Sequence, residues 1–480
     1  MPILTKTCVI DVVGLTQSLI GPTQTPFLHE FQARSACREI EAAFPAVTCV
    51  AQATYLTGAS PAEHSITANG FYDPVLKEVR NWHQSRALVR GQRIFDTVKA
   101  IDPTAVTFSN CGWHCMHDDA LDVAVVPRPQ YLSDGRKLPD IWTKPAALRD
   151  SLQSRLGRFP LHRFWGPLAG IASSQWIADA SKMVDDEFDP VLSFIYLPHL
   201  DYVLQRDGPS SPSVLDSLAE IDGVLRDLVT FYEDHGARVI ILSEYGIVPV
   251  NHPVHINRVL NRAGYVATRT ERGGLTLDYG SSRAFAHSDH QVSIVHVAKA
   301  EDVDPVKRLL KSTKGIAFVF DRDDVPTWAA AALSVHRAGE LVCVAEGNAW
   351  FTYYFWLNDA DAPDYARTVA IHDKPGYDPC EMLTWRPPWF GSWIGYAHLV
   401  VKAILSQVFR LRVLINATPV GDDSCRRIAG SHGRIDDAVR PVLIVSDLDS
   451  LAGLPKVVDA TAVYAVILTE LQRAPSPSAA

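Results

Sequence analysis

FPAVTCVAQATYLTGASPAEHSITANG, residues 44–70, places Thr48 at the start of a short buried helix. After Phe44-Pro45, the residues Cys49, Val50, Ala53, Tyr55 and Leu56 fit one helical segment, closed by Gly58. A hydroxyl at a helix N-terminus sits in the positive end of the dipole beside unpaired N–H groups, which suits an alkoxide, a metal ligand or a bound phosphate. Threonine is also an ordinary helix cap, so the local pattern alone does not separate the two roles.

Working outward, the apolar run KTCVID reads as a buried strand ending in Asp11. RGQRIFDTVKAID reads as a helix and AVTFSN as a strand, the alternation of a doubly wound sheet. PVLSFIYL at 190–197 and ARVIILSEYG at 237–246 are near-continuous apolar runs separated by a helical pattern, as a parallel sheet buried on both faces requires. Asp201 follows the first and Glu244 ends the second. With Asp11 they stand at the carboxyl ends of strands, where open α/β sheets build their sites.

Residues 118–180, rich in Pro, Arg and Trp, read as a long excursion over one edge of the sheet. Beyond 260, VSIVHVA, GIAFVF and LVCVAEGNAWFTYYFWL are strand-like. AHLVVKAILSQVFRLRVLINA reads as an amphipathic helix running into a strand; its Lys402, Arg410 and Arg412 exclude a membrane span. IAGSHGRIDDAVRPVLIVSD sets His432 in a glycine-bounded loop before the last strand.

The net charge of −9 argues against nucleic acid as a partner. The N-terminal apolar run is too short for a signal peptide, so the reading is cytoplasmic, with the eight cysteines reduced. Cys111, His114, Cys115 and His117 match no zinc spacing.

Taken together, these motifs resemble the type I phosphodiesterase/nucleotide pyrophosphatase family of the alkaline phosphatase superfamily. The family's opening strand ends in a metal-binding Asp, here Asp11 of VID. Its nucleophile lies in F-P-x-x-T before a helix ending in T-G, followed by H-x-I and an Asn that contacts the phosphoryl group, which implies Thr48 and Asn69. The resemblance implies an α/β, alkaline-phosphatase-like fold with a largely parallel central sheet, helices on both faces and an inserted lobe. On that reading 1–258 and 396–473 form a discontinuous catalytic core, 259–395 an inserted lobe or lid, and 474–480 a disordered tail.

The resemblance also implies two divalent metal ions, zinc, manganese or iron. Thr48 with Asp11, Glu244 and Tyr245 would hold one; Asp201, Gln205 and His432 would hold the other. LDYVLQRDGP carries Gln205 where the family has His, and SEYG carries Glu244 and Tyr245 where it has Asp-His, while GSHG around His432 is intact. The shift toward oxygen donors favours a harder ion than zinc. Among His199, His252, His255, His287 and His290, the compensating imidazole is taken to be His290 first and His199 second. Trp142, Phe164 and Trp165 are candidates for contact with a leaving group.

The expected activity is metal-dependent hydrolysis of phosphate (di)esters, pyrophosphates or phosphonates through a phospho-threonine, acting on a small phosphorylated substrate. The competing reading is a metal-poor relative that binds a phosphorylated ligand or a partner without turnover. No C-x-P-x-R sequence follows Asp11, which counts against a sulfatase.

Overall fold

The computed structural model describes residues 4–330, 337–384 and 415–473, with a few positions between 397 and 408. The run expected to pass from amphipathic helix to strand after residue 396, and the tail at 474–480, lie outside the described residues. Nine strands form the central sheet, in the order Val457–Asp459, Ala36–Glu41, Val442–Val445, Arg238–Leu242, Thr7–Val12, Leu192–Leu197, Thr107–Asn110, Val123–Pro127 and Ile141–Lys144. Only Val442–Val445 and Ile141–Lys144 run against the others, so the sheet is largely parallel, as expected.

The middle strands are buried along their whole length because apolar clusters cover both faces. One cluster includes Ile10, Ile195, Ile241 and the long helices Ile171–Phe188 and Ser213–Asp234. The other includes Val9, Phe194, Ile240 and the Thr48–Thr57 helix. Thr7–Val12 pairs in parallel with Leu192–Leu197 on one side and Arg238–Leu242 on the other. That register brings Asp11, Asp201 and Glu244 to one rim. Residues 118–180 are more regular than the sequence suggests. They supply the last two strands on one side of the sheet, Val123–Pro127 and the edge strand Ile141–Lys144, and begin the Ile171–Phe188 helix, whose apolar positions the Pro- and Arg-rich composition hides.

A second, antiparallel sheet joins Ala284–Asp289, Val292–Val297, Leu341–Ala345 and Ile316–Phe320 over a separate apolar core. Its first hairpin turns at His290, which has a left-handed φ of 59°. Among the described residues no helix is long and apolar enough to cross a membrane. All eight cysteines are free thiols.

The H-x-I turn after the Thr48 helix is locked by a buried neutral imidazole. His64 Nδ1 accepts the Ile66 N–H at 3.1 Å, and Nε2 lies 3.1 Å from Thr54 Oγ1, whose own proton goes to Val50 O. Burial pushes the His64 pKa down from 6.5 to about 4, and those of His114 and His296 to about 3. Between these values the unfolded chain takes up protons that the fold refuses, so their contribution is present above pH 6.5 and is lost as pH falls toward 4. Asp201 and Glu244, raised to about 7, act in the opposite sense in both proteins, so the expected outcome is a difference: between pH 7 and pH 5 the melting temperature of the parent chain should fall relative to that of His64→Gln, whose amide cannot charge. An equal slope in both proteins would contradict this account of the turn.

Candidate active site

Thr48 is the first residue of its helix. The capping position is Val47, which offers no side-chain acceptor, and Gly58 closes the helix at φ 65°. The Thr48 hydroxyl thus makes no helix cap. Its Oγ1 lies 3.1 Å from the Tyr245 hydroxyl, which in turn donates to Asp201 Oδ1 at 3.3 Å. A phenol has one proton; with that proton on Asp201, Thr48 must be the donor to Tyr245. The result is a directed chain from Thr48 through Tyr245 to Asp201. Burial and the neighbouring carboxylates push the Tyr245 hydroxyl well above the usual tyrosine range, and burial pushes Asp201 up to about 7.

On the other side of Thr48 lie Asp11 and Glu244, both fully buried. Gln52, four residues after Thr48 and so on the same helix face, donates from Nε2 to Glu244 Oε1 at 2.8 Å and to Asp11 Oδ2 at 3.4 Å. Its Oε1 accepts the Trp113 N–H at 2.8 Å. Asp11 Oδ1 and Glu244 Oε2 have no hydrogen-bond partner. Burial raises both carboxyls, and Glu244 raises Asp11 further.

Beyond Tyr245 the rings stack in series, with centroids 3.6 Å apart for Tyr245–His432, 3.7 Å for His432–His290 and 3.6 Å for His290–Tyr377. His432 donates from Nδ1 to Ala46 O at 2.8 Å, and His290 from Nδ1 to Asp289 Oδ1 at 2.6 Å. Both therefore keep a lone pair on Nε2, and both Nε2 atoms are buried without a partner. His432 Nε2 lies 3.9 Å from Asp201 Oδ1. Gln205 donates to Asp201 Oδ2 at 2.7 Å and accepts the Tyr377 hydroxyl at 2.9 Å. Asn69 accepts the Cys49 N–H on Oδ1 at 3.0 Å and donates from Nδ2 to Asp289 at 3.1 Å, which leaves one amide hydrogen free.

The close approach of the two motif loops depends on glycine. A Cβ on Gly430 would lie 2.0 Å from Leu204 O, on the helix that carries Asp201 and Gln205. Thus GSHG can bring His432 against that helix only with glycine there.

The structure brings all the expected residues to one place: Thr48 and Asn69, with Asp11, Asp201, Gln205, Glu244, Tyr245, His432 and His290. Of the other imidazoles, His199 pairs with Glu220 at 3.0 Å, His287 with Asn81 at 2.7 Å, and His255 with Thr352 and Asp422, while His252 packs against Gly315. Trp165 reaches the site through its ring contact with Tyr377, whereas Trp142 packs on His117 and Phe164 on Phe159. Three participants are additional. Gln52 had a signal, its helical spacing from Thr48, and Asp289 adjoins His290; Tyr377 had none.

Whether cations suit this site turns on its charges. Several other buried acids have a base: Asp378 and Glu381 share Lys374, Asp118 pairs with Arg93, and Glu470 with Arg238. Among the described residues no Lys or Arg pairs with Asp11, Asp201 or Glu244. Together with the orphaned Asp11 Oδ1, Glu244 Oε2, His290 Nε2 and His432 Nε2, these unneutralised carboxylates form a donor set that fits hard or borderline divalent ions. No three His, Cys, Asp or Glu side chains converge on one point among the described residues, so binding would draw these groups together.

The Thr48 hydroxyl thus stands at the positive end of a helix beside buried carboxylates. The largely parallel sheet with helices on both faces is the alkaline-phosphatase-like α/β fold. More narrowly, the chain belongs to the type I phosphodiesterase/nucleotide pyrophosphatase family, whose pattern matches residues 7–378. The members that give the family its name, phosphodiesterases and nucleotide pyrophosphatases, are hydrolytic enzymes.

Among solved structures, phosphonoacetate hydrolase from Sinorhizobium meliloti 1021, in complex with phosphonoformate, superimposes with a TM-score of 0.59 at 15% identity, over 98% of this chain and 96% of that one. Murine ectonucleotide pyrophosphatase/phosphodiesterase 5 gives 0.57 at 14% identity over the same shares. An inactive form of it in complex with AMP gives 0.56. At these identities the likeness is one of fold. No curated protein matches the chain.

Removing one of two adjacent buried carboxylates should relieve repulsion where no cation is bound. Glu244→Gln should raise the melting temperature of chelator-treated protein by a few degrees while depressing hydrolysis, the usual trade between stability and activity at a site. A lower melting temperature would show that the pair is already neutralised within the protein.

Proposed function

We propose that the chain hydrolyses small phosphate esters, pyrophosphates or phosphonates through a covalent intermediate on Thr48. The observation that carries this reading is the hydrogen-bond chain from Thr48 through Tyr245 to Asp201 at the N-terminus of a helix. Thr48 Oγ1 attacks phosphorus, its proton passes to the Tyr245 oxygen, and the Tyr245 proton passes to Asp201. The bond from phosphorus to the leaving atom breaks, and water then cleaves the threonine ester. The free Asn69 amide hydrogen and the helix N-terminus face the oxygens where negative charge develops.

Asp11, Glu244 and Thr48 would hold one divalent ion, with Tyr245 beside them, and Asp201, His432 and His290 a second, with Gln205 beside them. Bound ions would lower the pKa of the attacking hydroxyl and neutralise phosphoryl charge. The molecules bound in the neighbours' complexes, phosphonoacetate and AMP, support a small phosphorus-bearing ligand here as well.

One feature favours the alternative of a binding protein without turnover. Gln52 Nε2 already spans Asp11 and Glu244, where a cation would otherwise sit. A hydrolysis screen of phosphomonoesters, phosphodiesters and phosphonates with manganese, zinc or iron separates the two readings. Turnover should appear, should be abolished by chelation, and should fall on the order of a thousandfold or more in Thr48→Ala. Tight binding of the same compounds with no turnover under any of these metals would establish the binding protein instead.

A further inference from the structure

From Met382 to Gly421 the sequence changes character. It contains no Asp or Glu there, in a chain whose net charge is −9, and it carries Arg386, Lys402, Arg410 and Arg412. Trp385, Trp389, Trp393 and Tyr396 precede AHLVVKAILSQV, residues 397–408. The residues of the reaction centre all lie outside this stretch.

The described positions between 397 and 408 are few, but they fall on one line. Ala397, Val400, Val401, Lys402, Ile404 and Leu405 are helical, and the Val408 N–H extends the pattern by donating to Ile404 O at 2.8 Å. Ala397, Val400, Val401, Ile404 and Val408 stand at i, i+3, i+4, i+7 and i+11, the spacing of a single helix face. Such a stripe ordinarily turns to a core, as the apolar faces of Ile171–Phe188 and Ser213–Asp234 do. Here it faces solvent. Val400, Val401, Ile404 and Val408 are 56%, 55%, 45% and 70% exposed, and Ala397 is exposed as well.

An apolar helix face left in water marks an interaction surface. Charge decides what covers it. A symmetric dimer sets a patch against its own copy, which here would bring bases against bases with no acid in the stretch to pair them. The same bases exclude a membrane span. An anionic bilayer surface answers both features at once: the apolar stripe enters the boundary of the acyl chains while Lys and Arg meet the phosphate headgroups. Trp and Tyr are the side chains that favour the depth between the two.

We propose that the helical segment carrying Val400, Val401, Ile404 and Val408 docks on the surface of an anionic lipid bilayer, with its apolar stripe turned into the membrane. The chain leaves for this segment from Pro379–Met382, just after Tyr377, and returns through Asp422–Cys425, ahead of His432. Docking therefore tethers the reaction centre to the membrane from both ends of the segment. The proposal is independent of the Thr48 reading, since it concerns where the protein works and not the bond it breaks.

Sedimentation of the full chain with vesicles of phosphatidylcholine alone, and of phosphatidylcholine mixed with phosphatidylglycerol, tests this. The mixed vesicles should bind the protein on the order of tenfold or more tightly than the neutral ones, and added sodium chloride should erase the difference. The double variant Val400→Gln, Ile404→Gln changes no charge. It should weaken binding to the mixed vesicles by a similar factor and leave the melting temperature unchanged, because both side chains are exposed. Equal partition onto both vesicles, partition onto neither, or undiminished binding of the double variant overturns the proposal. So does a dimer that the same variant dissociates and that forms without any binding to vesicles, which would make the stripe a contact between copies of the chain.

Discussion

Three carboxylates, Asp11, Asp201 and Glu244, are buried at one rim of a parallel sheet with no Lys or Arg beside them among the described residues, and most of what surrounds them compensates for that charge. Gln52 donates to two of them, and Gln205 and Tyr245 donate to the third. Burial favours their protonated forms, pushing Asp201 and Glu244 up to about 7. Neutral donors soften such repulsion without removing it, because a desolvated carboxylate costs several kcal/mol unless it is paired. Elsewhere the same chain solves this problem with Lys374 and Arg93. Leaving it unsolved here is the signature of a site in which stability is held back for binding.

The two sheets divide the work. The parallel sheet supplies the acids and the Thr48 helix, while the hairpin of the second sheet delivers Asp289 and His290 across to them. Asp289 orients Asn69 and His290 together, so a shift of that hairpin would move the Asn69 amide and an imidazole at once. The buried Lys374–Asp378–Glu381 cluster holds the next segment, whose Tyr377 stacks on His290 and bonds Gln205.

Much of this was legible in the sequence. The middle strands are continuous apolar runs because both of their faces are covered, and their terminal acids mark the rim. Thr48 stood out through the helix that follows it, and His290, ranked first among the candidate imidazoles, stacks on His432. The strands Val123–Pro127 and Ile141–Lys144, the last two on one side of the sheet, were hidden by Pro and Arg in a segment without a clean period. Tyr377 could not be found locally, since its role comes from a tertiary stack with His290. The direction of the Tyr245 hydroxyl, toward Asp201 as a donor, depends on burial that no motif reports.

The central claim is that Thr48 becomes covalently bonded to phosphorus. The direct measurement is mass spectrometry of the Thr48 peptide after rapid acid quench during turnover of a hydrolysed substrate. The account predicts a phosphoryl adduct on Thr48 that decays as substrate is exhausted. Steady turnover with Thr48 unmodified at every quench time, under conditions in which a synthetic phosphothreonine peptide survives the quench, would contradict it.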